Sequence, residues 1–474
     1  MPLKPARGAP IDPLRYRVSI MKEHAPIGLA PAQRALGGPA TPAADLLPRD
    51  PASRADLLRT AAFDATVYGL SAYLQYEQLY KQAWDRDSAQ YTGFNRFRHE
   101  RALAGPDYAT FRVPNSDTLY STAWIDLGQG PVAIEIPATR LRYYTLNIFD
   151  IYGNPHNLSN RTIGFDGGRF LLVAPGWQGS APAGFQVWQA ATVQLWILMR
   201  AFAQSDAETA AARAFQDQVR IIAPAGAPRA GAADGTPPPP RAGAIGLLAV
   251  LDQVLRVNGC LPGEEALVSR FRALGLLGPG PFDAAQLDAT ARAAIESGHE
   301  QALTMIQRSK SQLGVPAATG WMKVEKGNYG YDYVRRAVTN AAGLGANVRE
   351  ENASYTTFVD GAGQALDGAG ARYRLVLTTP PPVDAFWSVT LYDARTFALF
   401  PNALQRYLIS DRTAGLVVAP DGAIEIALQH AEAREGNWLP APAGPFFIVM
   451  RAYGPQAPML TGRWLPPAIV PVQA

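Results

Sequence analysis

One residue pattern occurs twice in this chain and constrains its fold more than any other feature. Tyr143-Tyr144-Thr145-Leu146-Asn147-Ile148-Phe149-Asp150 and Phe386-Trp387-Ser388-Val389-Thr390-Leu391-Tyr392-Asp393 share one order. Both run aromatic, aromatic, hydroxyl, aliphatic, polar, aliphatic, aromatic, Asp. In an extended strand successive side chains alternate faces, so Tyr144, Leu146 and Ile148 share a face, with Trp387, Val389 and Leu391 as counterparts. Downstream, Arg161-Thr162 is echoed by Arg412-Thr413, and Ala174-Pro175 by Ala419-Pro420. Three echoes in the same order indicate two copies of one β-domain.

The surrounding segments fit that reading. Short apolar runs bounded by Gly and Pro predict strands at Val132–Ile136, Phe170–Val173, Tyr373–Leu377, Trp387–Tyr392, Leu416–Val418, Ile424–Ile426 and Phe446–Met450. Many short strands of this kind favour a sandwich or barrel over a parallel sheet. Leu57, Leu58, Ala61, Ala65, Tyr68, Ala72 and Tyr76 recur at helical spacing and predict a helix from about Arg54 to Trp84. Asp50 suits its N-cap and Pro51 its first turn. The expected fold is mainly β with helical additions: two related β-sandwich domains, an N-terminal helix and a helical insert. The expected boundaries are an irregular segment 1–50, a helix 51–85, a first β-sandwich 86–205, a helical insert 206–325 carrying the Pro-rich linker Gly235–Pro240, and a second β-sandwich 326–474.

Composition narrows the function classes. A net charge of +3 is small for 474 residues and gives no support for nucleic-acid binding, which usually needs a concentrated basic face. No run of about 18 uncharged apolar residues predicts a membrane span. The start, Met1 to Pro5, lacks the apolar stretch of a secretory signal, so the expected compartment is the cytoplasm. The single cysteine, Cys260, cannot form an internal disulfide and reads as a thiol near a helix end. The five histidines are scattered, and no Cys/His metal cluster, phosphate loop or nucleophile elbow occurs. No metal and no cofactor is expected.

Four blocks could carry chemistry. Val113 to Ser121 packs Asn115, Ser116, Asp117 and Thr118 together, either as backbone-capping turns or as a site with Asp117 as acid/base, Asn115 as a donor and Tyr120 as a proton donor. Asp150 to Asn157 places Asp150, Tyr152 and His156 at even spacing around a Gly-Asn-Pro turn. Tyr329 to Ala337 sets Asp332 one helical turn from Arg335 and Arg336. That spacing gives either a solvated salt bridge or an Arg336 held for an anionic group. The fourth block is Asn437 to Pro442, then Pro445-Phe446-Phe447 and Arg451-Ala452-Tyr453, and its Trp438 either packs in a core or stacks on a ligand.

These blocks resemble the paired domain-of-unknown-function families 1254 (N-terminal) and 1214 (C-terminal). Asn115-x-Asp117-Thr118-Leu119-Tyr120-Ser121, Gly130-Pro131, Arg142-Tyr143-Tyr144 and Asp150-x-Tyr152-Gly153-Asn154 are similar to the first. Tyr331-Asp332-Tyr333, Gly343 to Asn347, Pro382 to Ser388, Asn437 to Pro440 and Gly444-Pro445-Phe446 are similar to the second. The resemblance implies a pair of β-sandwich domains with helical additions and assigns no catalytic residue.

The expected function is a metal-independent enzyme, of hydrolase or lyase type, acting on a small organic molecule in a cleft between the β-domains. Asp117 or Asp150 would be the base, Tyr120 or Tyr152 the acid, and Asn115, His156, Arg336 and Trp438 the substrate-binding groups. The alternative is a non-catalytic protein binding a small molecule or carbohydrate through Trp438 and Tyr152. A third reading is a scaffold whose sheet edges pair with partners, including further copies of this chain.

Overall fold

The computed structural model describes residues 48–108, 113–223, 237–327, 329–432 and 436–472. A contact boundary falls after Pro48, and the residues beyond it form one unit, Arg49–Ala474. The expected irregular segment 1–50 lies almost wholly outside the described residues. So do Gly235 and Thr236 of the Pro-rich linker.

Helix α1 (Pro51–Leu79) begins where Asp50 accepts a hydrogen bond from Ser53 N at 2.8 Å and Pro51 opens the first turn. This satisfies one of the donors a helix start leaves unpaired. Tyr80–Trp84 continue it as one π-helical turn. The other helices are α2 (Asn160–Ile163), α3 (Asp206–Gln218), α4 (Ala244–Asn258), α5 (Glu265–Arg270), α6 (Ala289–Ser309), α7 (Tyr333–Ala342) and α8 (Ala457–Leu460). Residues of α1, α4, α6 and α7 share one apolar cluster with Trp124, Phe149 and Trp196 of the first β half. Among the described residues no helix is long and apolar enough to cross a membrane.

The first half contains β1 (Arg98–His99), β2 (Thr118–Asp126), β3 (Val132–Ile136), β4 (Tyr144–Asp150), β5 (Pro155–Ser159), β6 (Gly168–Val173), β7 (Gln186–Gln189), β8 (Gln194–Phe202) and β9 (Arg220–Ile222). The second contains β10 (Val315–Pro316), β11 (Met322–Val324), β12 (Asn352–Thr357), β13 (Arg372–Leu377), β14 (Val383–Asp393), β15 (Leu408–Ser410), β16 (Ile424–Gln429), β17 (Asn437–Pro440), β18 (Phe446–Pro455) and β19 (Val470–Val472). The segment 206–325 is divided between neighbours: β9 pairs with β3, while β10 and β11 extend the sheet of β12.

The repeat in the sequence is a repeat of topology. One sheet of the first half runs β1-β2-β8-β4-β5, and the second half contains β11-β12-β18-β14-β15 in the same order. The other sheets run β7-β6-β3-β9 and β17-β16-β13-β19. A parallel strand pair also recurs in each half, β6 with β7 and β16 with β17. In each half the two sheets contribute to one apolar core. Leu119, Ile134, Leu146, Leu172 and Ile197 meet in the first half, and Leu375, Val389, Ile426, Ile448 and Met450 in the second. Tyr144, Leu146 and Ile148 face the first core, and Trp387, Val389 and Leu391 the second, as the alternation requires.

The finer echoes divide. Ser159 N donates to Thr162 Oγ1 and Ser410 N to Thr413 Oγ1, both at 2.9 Å, at the end of β5 and of β15. Ala174-Pro175 follows β6, however, whereas Ala419-Pro420 precedes its counterpart β16. That echo is therefore out of step. The run Leu416–Val418, expected as a strand, is none. Asn437 takes its backbone, with Oδ1 accepting from Val417 N and Nδ2 donating to Val417 O, both at 2.8 Å. This side chain replaces a ladder, and Val417 and Val418 stay exposed.

Candidate functional site

Residues that alternate with the core side chains point out of the large sheets, and in both halves many of them are polar and buried. On β2 these are Thr118 and Tyr120, on β4 Thr145 and Asn147, on β8 Arg200. On the second half they are Asn352 and Ser354 of β12, Ser388 and Thr390 of β14, and Arg451 and Tyr453 of β18. Hydrogen bonds join the two sets into a polar seam. Asn115 Nδ2 donates to Tyr453 OH at 2.7 Å, Ser388 Oγ to Asp117 at 2.8 Å, and Tyr392 OH to Pro114 O at 2.5 Å.

Equivalent positions meet across the seam. In β8, Met199-Arg200-Ala201-Phe202 matches Met450-Arg451-Ala452-Tyr453 of β18, because Arg200 lies between Tyr120 and Thr145 as Arg451 lies between Ser354 and Ser388. Phe202 and Tyr143 from one half pack with Tyr453 and Phe386 from the other. The Phe386 ring lies 4.5 Å from Phe202 and 4.1 Å from Tyr453. The contact resembles an isologous dimer interface, in which one patch meets itself.

Charge in the seam is unbalanced. Asp117 is fully buried and accepts from Gln204 Nε2 and Ser388 Oγ, each at 2.8 Å, and from Tyr453 OH at 3.4 Å. Burial pushes its carboxyl above the usual range, against the opposing pull of Arg451 and these donors. Glu351, also raised by burial, is held by Arg161 and Ser159, each at 2.9 Å. Arg200, Lys326 and Arg451 are all buried, yet among the described residues none forms an ion pair with a carboxylate. Arg200 donates to Gly345 O at 2.7 Å and Asn347 Oδ1 at 3.3 Å, above the Tyr120 ring. Arg451 donates to Tyr392 OH at 2.9 Å and Val113 O at 3.0 Å. Lys326 Nζ donates to Asn352 Oδ1 and Ser354 Oγ, both at 2.7 Å. Burial, then the charges of Arg451 and Arg200, push its amine well below its ordinary value.

The expected site residues distribute unevenly. Asn115, Asp117 and Tyr120 lie in the seam. Asp150 ends β4 and closes its turn, accepting from Tyr152 N at 2.9 Å and Asn154 N at 3.0 Å. Asp393 does the same at the end of β14 for Arg395 and Thr396. Tyr152 points instead into the helical layer, where its hydroxyl donates to Gly259 O. Arg336 is there too, fully buried, ringed by Tyr68, Tyr152 and Tyr333 at 5.0–5.6 Å and 3.7 Å from Glu264. Asp332 caps α7 and pairs with the half-buried Arg335 at 3.4 Å, so it does not hold Arg336. Nearby on α1, Ser71 and Gln75 are buried with no hydrogen-bond partner for their side chains among the described residues. His156 is exposed on β5, edge-on to Trp188 at 5.6 Å. Trp438 is half-buried on β17, donating to Gln429 O at 3.0 Å. Cys260 is half-buried beyond α4, its thiol pushed up by burial. A surface depression along α6, lined by Ser297, Glu300, Thr304 and Arg308, contains none of the seam groups.

Sequence reasoning gave no site role to Arg200, Lys326, Arg451, Tyr143 or Tyr453, although Arg451 and Tyr453 lie in the fourth block and Tyr143 in the repeat. Two of them left a signal: an arginine at one position of a repeated tetrad, within otherwise apolar strands.

Comparison with known proteins bears on the fold. The VPA0106 protein of Vibrio parahaemolyticus is 23% identical and matches with a TM-score of 0.69, over 88% of this chain and all of that one. An uncharacterised protein of Burkholderia cenocepacia, 12% identical, aligns over 90% of this chain and 91% of its own with a TM-score of 0.42. A comparison with curated proteins finds no match. Two family models, each described as a protein of unknown function, match in sequence order: DUF1254 over residues 94–223 and DUF1214 over residues 351–457. The chain thus carries a DUF1254 region followed by a DUF1214 region.

Proposed function

We propose that the seam between the β halves binds a small organic anion, and that the protein is a metal-independent enzyme of hydrolase or lyase type acting on it. One observation carries this reading: the Arg200 and Arg451 guanidinium groups are buried in the seam beside Lys326, and among the described residues neither forms an ion pair with a carboxylate. A buried charge that lacks an ion-pair partner costs several kcal/mol. A bound carboxylate would offset that cost while accepting hydrogen bonds from guanidinium groups suited to its geometry. Polar interfaces between domains open more readily than apolar cores, which provides a route for entry. Asp117, with its raised carboxyl, and Tyr120 supply acid/base groups beside the cations. The second reading is binding without turnover.

Calorimetric titration with acetate, pyruvate, succinate and neutral acetamide tests the reading. Saturable binding of the acids but not the amide is expected. Arg200→Met should weaken it about tenfold, the size of one charge-assisted contact of about 1.5 kcal/mol. His156→Ala and Trp438→Ala, whose rings contact Trp188 and Gln429 O, should leave affinity within about twofold. Failure of every acid to bind would refute it. Product formation followed by NMR separates turnover from simple binding.

A further inference from the structure

Lys326 differs from the two arginines in how its hydrogen bonds are filled. Ser354 Oγ donates its own proton to Asn352 Oδ1 at 2.8 Å. It therefore meets Lys326 Nζ as an acceptor, and so does Asn352 Oδ1. An ammonium has three donors, and the described seam offers Nζ these two acceptors. A neutral amine has two N–H groups and one lone pair, which fits two acceptors and leaves the lone pair unused. The charged groups facing Lys326, Arg451 and Arg200, are donors only and cannot take a third proton. A desolvated lysine beside other cations is the environment that makes an amine nucleophilic.

Resting on the anion-binding reading above, we infer that Lys326 is a nucleophile that forms an imine with the carbonyl group of a small oxo acid, whose carboxylate lies against Arg200 and Arg451. The Nζ lone pair attacks the carbonyl carbon, a C–N bond forms, and the C=O π pair moves onto oxygen. Both amine protons pass to that oxygen, which leaves as water. Amine plus carbonyl thus gives imine plus water, with no oxidant or reductant. The imine nitrogen, once protonated, can accept the electron pair of a bond breaking one carbon away, which is chemistry of the lyase type. The two arginines select an acid over a neutral ketone.

Trapping tests this on the full chain. The protein is incubated with pyruvate, acetoacetate, acetone or succinate in the presence of cyanoborohydride, then digested and mapped by mass spectrometry. The chain has six lysines, so the site of any adduct is unambiguous. One reduced adduct is expected, on Lys326, with the oxo acids at least tenfold ahead of acetone. It should be absent from Lys326→Met and reduced about tenfold in Arg200→Met. Because the mapping is done on the wild-type chain, the result does not depend on either variant folding. If succinate and pyruvate bind in the calorimeter yet Lys326 is unmodified, the nucleophile falls and the binding reading stands. Modification by acetone as readily as by pyruvate overturns the assigned substrate class. Adducts spread over the other lysines, or none together with no binding, overturn the inference.

Discussion

At Lys326 two neutral side chains, Asn352 and Ser354, occupy the place where a carboxylate would pair with an ammonium. Its folded value is depressed below the ordinary one near 10.5. The folded state therefore sheds this proton more readily than the unfolded chain. Stability from this group is complete above pH 10.5 and is lost as pH falls toward the depressed folded value. Lys326→Met removes that dependence. In urea titrations the wild type should gain stability relative to the variant as pH rises through this window, by on the order of 1 kcal/mol or more. Asp117→Asn should cost about 1–3 kcal/mol in the same assay, since three donors and the facing Arg451 lose a charged acceptor. How much of the site was legible differs residue by residue. Asp117 stood out as a carboxylate in a polar block. Arg200 and Arg451 were visible as charges in apolar strands, but only the topology shows that both strands face one seam. Lys326 left no local mark, because its environment is made by residues 26 and 28 positions further on.

Elements follow their local chemistry where caps and periodicity decide, and depart from it where a distant side chain intervenes. Asp50 and Pro51 start α1 as the sequence indicates. Leu416–Val418 has strand-like residues but loses its ladder to Asn437, which no window around residue 416 reveals. In α7, capping by Asp332 sets the helical phase, so Arg335 lies outward and Arg336 inward. The α1–α6 contact depends on Gly298, where an added Cβ would lie 2.1 Å from Arg59 O and 3.1 Å from Ala62 Cβ. Gly298→Ala should force the helices apart and destabilise the protein by about 1–3 kcal/mol, despite alanine's better helix propensity. Chemical denaturation checks the sign; a stabilised variant would contradict the close approach.

Across the whole molecule, the duplication was readable chiefly from β4 and β14, supported by the echo of Arg161-Thr162 in Arg412-Thr413, because an alternating strand pattern survives wherever one face is buried. The strand order was not, since it depends on pairings such as β2 with β8 that join distant segments. The two halves meet through Tyr143, Phe202, Phe386 and Tyr453. Phe386→Ala should cost about 3–5 kcal/mol and loosen the halves from one another, so that calorimetry resolves two transitions where the wild type shows one.

The pairing of like strands inside a single polypeptide has a consequence for evolution of the contact. A homodimer must write every mutation on both sides of its axis. Here Tyr120 stands where the other copy has Ser354, and Thr145 where it has Ser388, although the backbones correspond. A single chain lets each side change alone, so a phenol can flank one arginine of the pair and a small hydroxyl the other, an arrangement that strict twofold symmetry forbids.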